Sequence, residues 1–273
     1  MNFAKIQFFI LLGLILPEAG VVISSRILGA DVKTAPTSTQ MTRVEKDKLC
    51  VTIQSNNKET RIIYRKDKDA VYMVDVSAKS YTEMTRADVK KAGDRMQEAR
   101  EKMQEAMKNM PPEQRAMMEK MMGGIVPSAP PVASKMEYKK TGSSKSGNWK
   151  TDEYDGFRDG SKSSHLWIVD YGKLGVSRED FAVLKELGDF FSSLKISSPM
   201  DFMKETETLP GFPVRSQTFG ENGKESVTME VTEFKKEEIP PSHFDIPDQY
   251  TRKKLDIPEL NGGKRPKGGG SRD

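Results

Sequence analysis

The sequence predicts an α+β fold: a curved antiparallel sheet, an unclosed half β-barrel, with helices that include a methionine-rich helical hairpin covering its concave face. Three observations predict it. Short segments of period-two alternation, divided by turns of a few residues, occur on both sides of a central charged stretch, which is the pattern of hairpin-linked strands. That stretch, 85–123, is helical in its periodicity and holds eight of the chain's 16 methionines. No strand–helix–strand alternation recurs that would require parallel crossovers. Helices with one apolar stripe each are most simply buried on one face of one sheet.

A chain of 273 residues, 31% charged and 36% hydrophobic, fits one globular domain over 20–255 with a core of useful size. Of the net charge of +4, Lys264, Arg265, Lys267 and Arg272 against Asp273 place three in a Gly-rich basic tail, 256–273, whose composition predicts disorder. The body is then close to neutral, which excludes a dedicated nucleic-acid surface. Lys5, the apolar run 6–16, Pro17 and the small Ala19-Gly20 have the layout of a signal peptide over 1–19, so the protein is expected in the periplasm or outside the cell. The run is too short to span a bilayer, and the mature chain has no transmembrane segment. Cys50 is the only cysteine and follows no lipobox, so neither a lipid anchor nor an internal disulfide is available, and it reads as a small strand residue.

Alternation begins directly after the leader, with Val21, Ile23, Ser25 and Ile27 on one face and Val22, Ser24, Arg26 and Leu28 on the other. Strands are predicted over 39–46 and 49–55, where Leu49, Val51 and Ile53 oppose Cys50, Thr52 and Gln54. Strands 60–66 and 70–76 complete a five-stranded meander. After the helices, 125–135 reads as a flap, so insertion and flap together occupy 84–135. The sheet resumes at 136–141, 149–158 and 164–171, joined by loops at 142–147 and Asp159-Gly160-Ser161. Ser177 and Asp180 cap a second amphipathic helix with Phe181, Leu184, Leu187, Phe191 and Leu194 on one side. A last hairpin, 212–219 and 225–234, turns at Asn222-Gly223, and a segment holding Phe244, Ile246, Pro247 and Tyr250 follows.

The methionines carry the functional expectation. Thr85 and Asp88 have the spacing of a capping box, after which Met96, Met103, Met107 and Met110 share one helical face with Val89, Ala92, Ala99 and Ala106. Pro111-Pro112 interrupts the helix, and a second piece over 113–122 carries Met117, Met118, Met121 and Met122. A thioether is a flexible filler of cores and of surfaces that accept varied apolar partners. Met96, Met103, Met107, Met110, Met117, Met118 and Met121 therefore either line a site for a lipid or acyl chain between sheet and plug, or belong to an ordinary core. Thioethers are also soft ligands for Cu(I), and Met107-x-x-Met110 and Met118-x-x-Met121 place sulfurs one turn apart.

Catalytic patterns are absent: there is no His-Glu-x-x-His, Gly-x-Ser-x-Gly or Cys-x-x-Cys, and His165 and His243 are the only histidines. His165 alternates with Trp167, Val169 and Tyr171, the setting of a histidine packed beside aromatics rather than of a base. Asp152, Glu153, Asp155 and Asp159 raise a calcium hypothesis, but their spacing matches no loop motif. A non-enzymatic protein without cofactor is expected.

Tyr81-Thr-Glu-Met84, the run from Met110 to Glu119, Trp149-Lys-Thr-Asp-Glu-Tyr-Asp-Gly156, Leu209-Pro-Gly-Phe-Pro213 and Phe244-Asp-Ile-Pro-Asp-Gln-Tyr250 together resemble an uncharacterised bacterial family, a domain of unknown function of exported proteins. The resemblance covers nearly all of the mature chain. It implies a fold like that of the lipoprotein carriers LolA and LolB, an unclosed barrel plugged by helices whose interior takes acyl chains, and it assigns no contact residue here. Apolar-ligand binding is thus the leading expectation, and a cell-envelope interaction or sensor module with a filled core is the rival. Oligomeric state stays open.

Overall fold

In the computed structural model β1 (Gly20–Gly29) is the axis of one twelve-stranded sheet. The residues described are 19–29, 38–108, 110–111, 114, 136–194, 208–220, 223 and 225–255. On one side of β1 an antiparallel meander runs outward through β2 (Ser38–Val44), β3 (Lys48–Ser55), β4 (Lys58–Arg65), β5 (Ala70–Asp75) and β6 (Ser80–Thr85). On the other side lie β11 (Glu225–Glu237), β10 (Gly211–Phe219), β9 (Ser161–Asp170), β8 (Trp149–Arg158) and the edge strand β7 (Met136–Ser146). A short β12 (Thr251–Lys253) adds to β6 in the parallel sense at the opposite edge. The two edges do not meet, so the sheet is curved and unclosed, and the fold is α+β as the sequence predicts.

Turn chemistry sets the registers. Asn56 and Asn57 take φ of 49° and 60°, and Asp159-Gly160 takes 50° and 80°, the left-handed pairs that two-residue hairpins require. Period-two alternation then separates the two faces. Val21, Val44, Leu49, Tyr64 and Val71 oppose one another in turn across β1 to β5 and enter the inner core. Val22, Arg43, Cys50, Ile63 and Tyr72 form the corresponding outer row. A slip of one residue would exchange the rows, so burial fixes the register.

Helix α1 (Arg86–Lys108) starts from β6, and its capping box is formed: the Asp88 amide donates to Thr85 Oγ1 at 3.2 Å while the Thr85 amide donates to Asp88 Oδ2 at 2.9 Å. Helix α2 (Ala182–Phe191) lies on the inner face. At its entry the Asp180 carboxylate accepts from the Ser177 amide at 2.7 Å, and a 3-10 turn at Glu179–Phe181 precedes the α-helical part, whose N-cap is Phe181 rather than the expected Ser177. Val183, Leu187 and Phe190 are the buried residues, while Leu184 and Phe191, expected on the buried side, are only partly covered. The segment after β11 runs back over the outer face, where Ile239, Phe244, Ile246 and Tyr250 pack on Cys50, Ile63 and Tyr72.

Three elements depart from expectation. β6 is not predicted by the sequence, because the turn that precedes it ends on Lys79, at φ 46°, without glycine, asparagine or proline to announce it. β7 runs through 142–146, predicted as loop. A bulge between Lys140 and Gly142 keeps this Ser- and Gly-containing segment paired to β8. β12 makes one parallel pairing in a sheet predicted to be antiparallel throughout. The expected signal peptide up to residue 18, the expected second helical piece apart from Gln114, the flap and the basic tail lie outside the described residues.

Candidate functional site

Helix α1 is about 35 Å long at 1.5 Å per residue, and it is seated on the body at its first turns. Val89 is 1% exposed and joins the inner core. One turn later Gly93 lies against the backbone at Ser193: a Cβ built there would stand 2.1 Å from the Ser193 carbonyl oxygen. Only glycine permits this approach. Beyond it, the solvent side carries i,i+4 pairs, Lys90 with Asp94 and Glu98 with Lys102, each at 2.6 Å.

The opposite side carries the methionines. Met96 and Met103 are half-buried, Met107 is buried, and Met110 is half-buried just past the helix end. The four are spaced along one helical face, but Ala106, expected on the same face, is exposed. Met117, Met118 and Met121 lie outside the described residues. Among the described residues, Val89 is the only α1 member of the inner core or of its partly buried rim.

Beneath α2 the space between sheet and helix is closed by side chains. Val183, Leu187, Phe190 and Val214 are all 0% exposed. Phe181 stacks on Phe212 at 5.1 Å, Phe212 meets Phe234 edge-on at 5.6 Å, and Tyr64 meets Phe190 edge-on at 5.8 Å. Each large residue buried here contributes about 1.5–3 kcal/mol. The space beneath α2 is thus filled by these side chains, while the described methionines of the α1 stretch, three half-buried and Met107 buried, belong neither to this core nor to its rim.

His165 packs edge-on against Trp167 at 4.3 Å, as expected, with the Arg215 guanidinium 4.6 Å over the indole. The register also places two carboxylates beside it that sequence reasoning treated separately: Asp155 opposes His165 and Glu153 opposes Trp167. Nδ1 pairs with Asp155, and Nε2 lies 3.4 Å from Glu153. Both ring nitrogens thus face carboxylates, leaving neither for a nucleophile. Burial works to raise the Asp155 pKa, but hydrogen bonds from Lys162 and His165 outweigh it and hold it below the usual carboxylate range.

The acidic group considered for calcium is dispersed by strand alternation. Asp152 pairs with Lys140 at 2.9 Å and accepts from Ser143, Glu153 and Asp155 attend His165, and Asp159 sits in the turn. Among the described residues, no three His, Cys, Asp or Glu side chains are grouped to hold a metal ion. Cys50 is buried in the outer core, where desolvation raises its pKa. No helix among the described residues is long and apolar enough to cross a membrane.

The chain is similar in structure to an uncharacterised conserved protein from Thermus thermophilus, at 8% identity over 86% of this chain and 91% of that one, with a TM-score of 0.42. A chain of the Pseudomonas aeruginosa MucA/MucB complex aligns at 6% identity over 85% of this chain and 57% of that one, with a TM-score of 0.40. MucB alone aligns at 7% identity, covering 86% and 59%, with a TM-score of 0.37. No curated protein matches the sequence. Residues 133–250, from the approach to β7 to the end of the outer segment, match the family described as a domain of unknown function, DUF4412, so the expected resemblance holds for this part while α1 and its methionines precede it.

Proposed function

We propose that the chain is an exported, non-enzymatic interaction module that presents the methionine face of α1 to an apolar segment of a cell-envelope protein. One observation carries this reading: α1 is seated through Val89 and Gly93, whereas Met96 and Met103 stay half-buried outside the packed core and the space beneath α2 is closed. Thioether surfaces re-pack around partners of differing shape, which suits a helix or strand laid along such a face. Export rests on Lys5, the apolar run 6–16 and the small residues after Pro17. An acyl chain lying along the same face is the second reading, favoured by the same half-buried thioethers, which offer apolar contact without directional demands.

A photo-crosslinking residue placed at Met103, and as a control at Glu101 on the exposed side, tests both in the native envelope. The reading expects a protein adduct from position 103 and none from 101. An acyl adduct at 103 selects the second reading, and equal or absent labelling at the two positions overturns both.

A further inference from the structure

The outer face carries a cleft of about 420 Å³ over β1 to β4, running into one of about 250 Å³ at the start of the C-terminal segment. Ser24, Met41, Arg43 and His243 line both. Arg43 is out of character with its row. Its cross-strand neighbours are Val22 and Cys50, and Ile63 and Tyr72 continue the row, all buried. A half-buried guanidinium in such company calls for an anion.

The neighbouring cations have theirs. Arg26 holds Glu230 at 2.7 Å, Arg61 holds Glu59 at 2.8 Å, and Lys235 holds Glu233 at 2.7 Å. Arg43 makes no ion pair or side-chain hydrogen bond among the described residues, which leaves its guanidinium fork open in the cleft, although four acidic side chains balance the four basic ones of the lining. His243 registers it: burial first, then the charges of Arg43 and Arg61, push its pKa below the usual histidine value. Its imidazole is then neutral at pH 7 and adds hydrogen-bonding capacity rather than charge.

We propose that this cleft binds a small organic monocarboxylate, with Arg43 gripping the carboxylate while Val22, Met41 and the Ile239-Pro240 corner hold an apolar body. The planar guanidinium fork, open and without a protein partner, suits a carboxylate. Glu59, Glu233, Glu237 and Glu238 share the lining and oppose a dianion such as phosphate.

Titration of the full chain with benzoate, read by NMR of the arginine Nε–H groups and by calorimetry, tests this. Saturable binding is expected, with the largest arginine shift at Arg43. Binding should weaken about tenfold or more in Arg43→Gln and in Arg43→Lys, which loses the fork. Inorganic phosphate should bind about tenfold more weakly and benzylamine not at all. Lys90→Gln and Met103→Lys, both on α1, should change benzoate affinity by less than about twofold, which separates this site from the methionine face. The proposal is overturned if the wild-type protein shows no saturable shift at Arg43, if phosphate binds as well as benzoate, or if Arg43→Gln binds benzoate unchanged. The wild-type shift decides the matter if a variant misfolds.

Discussion

Gly93 decides how α1 sits. In an ordinary exposed helix, replacing glycine by alanine gains about 1 kcal/mol. Here the new methyl would meet the Ser193 carbonyl, and the helix must lift or the turn must move. Gly93→Ala is therefore expected to destabilise by about 1–3 kcal/mol in urea unfolding, and a raised midpoint would contradict the close seating. Arg65 holds the outer segment in a comparable way. Its guanidinium donates to Asp67 at 2.7 Å and to Asp245 at 2.6 Å, linking the β4–β5 turn to the C-terminal segment. The hydrogen bonds from Arg65, ahead of its charge, lower the Asp67 pKa to about 2. A depressed carboxylate stabilises the fold above its unfolded pKa, near 4, and this contribution fades as pH falls through about 2. The wild-type protein should melt above Asp67→Asn at neutral pH, and the gap should close between about pH 4 and pH 2. A gap independent of pH would mean that the pair does not act through charge.

At the scale of elements, strands and helix caps were legible where local chemistry is strong. The Thr85/Asp88 box, the Asp159-Gly160 turn and the alternation of β1 and β3 all appear as the sequence predicts. β6, β12 and the far half of β7 were hidden because neighbouring strands, not turn residues or apolar alternation, hold them. The candidate site was legible as a methionine stripe. What the sequence could not reveal is that the space beneath α2 is filled, since Val183 and Phe190, which the expected stripe leaves out, are buried there with Leu187. Nor could it bring Asp155, Glu153 and His165 together, although equal parity along β8 and β9 offered a signal. The closed core makes a contrast between helices: Leu187→Ala on α2 is expected to cost about 2–5 kcal/mol, whereas Met103→Ala on α1 should cost less than about 1.5 kcal/mol. Similar losses of melting temperature for the two variants would place Met103 in the core after all.

Across the whole molecule, β1 joins two arms whose sequences lie far apart: Arg26 on β1 meets Glu230 on β11. Neither arm buries its inner face alone, because residues of both enter one core with α2. A single cooperative transition is expected, in which fluorescence of Trp149 and Trp167, the only tryptophans and both in the β7–β10 arm, coincides with far-UV circular dichroism of the entire chain. Separate midpoints would mean that the arms unfold independently. The proposed function needs Met96 and Met103, both half-buried, to be reachable by a partner, and methionine oxidation follows exposure. Peroxide labelling, read residue by residue by mass spectrometry in purified protein and in intact envelopes, therefore tests the central claim. Met96 and Met103 should oxidise readily when purified and be protected in the envelope, while exposed Met73 reacts quickly and buried Met107 slowly in both. Rates for Met96 and Met103 that match Met107 in the purified protein, or that do not change between the two preparations, would contradict it.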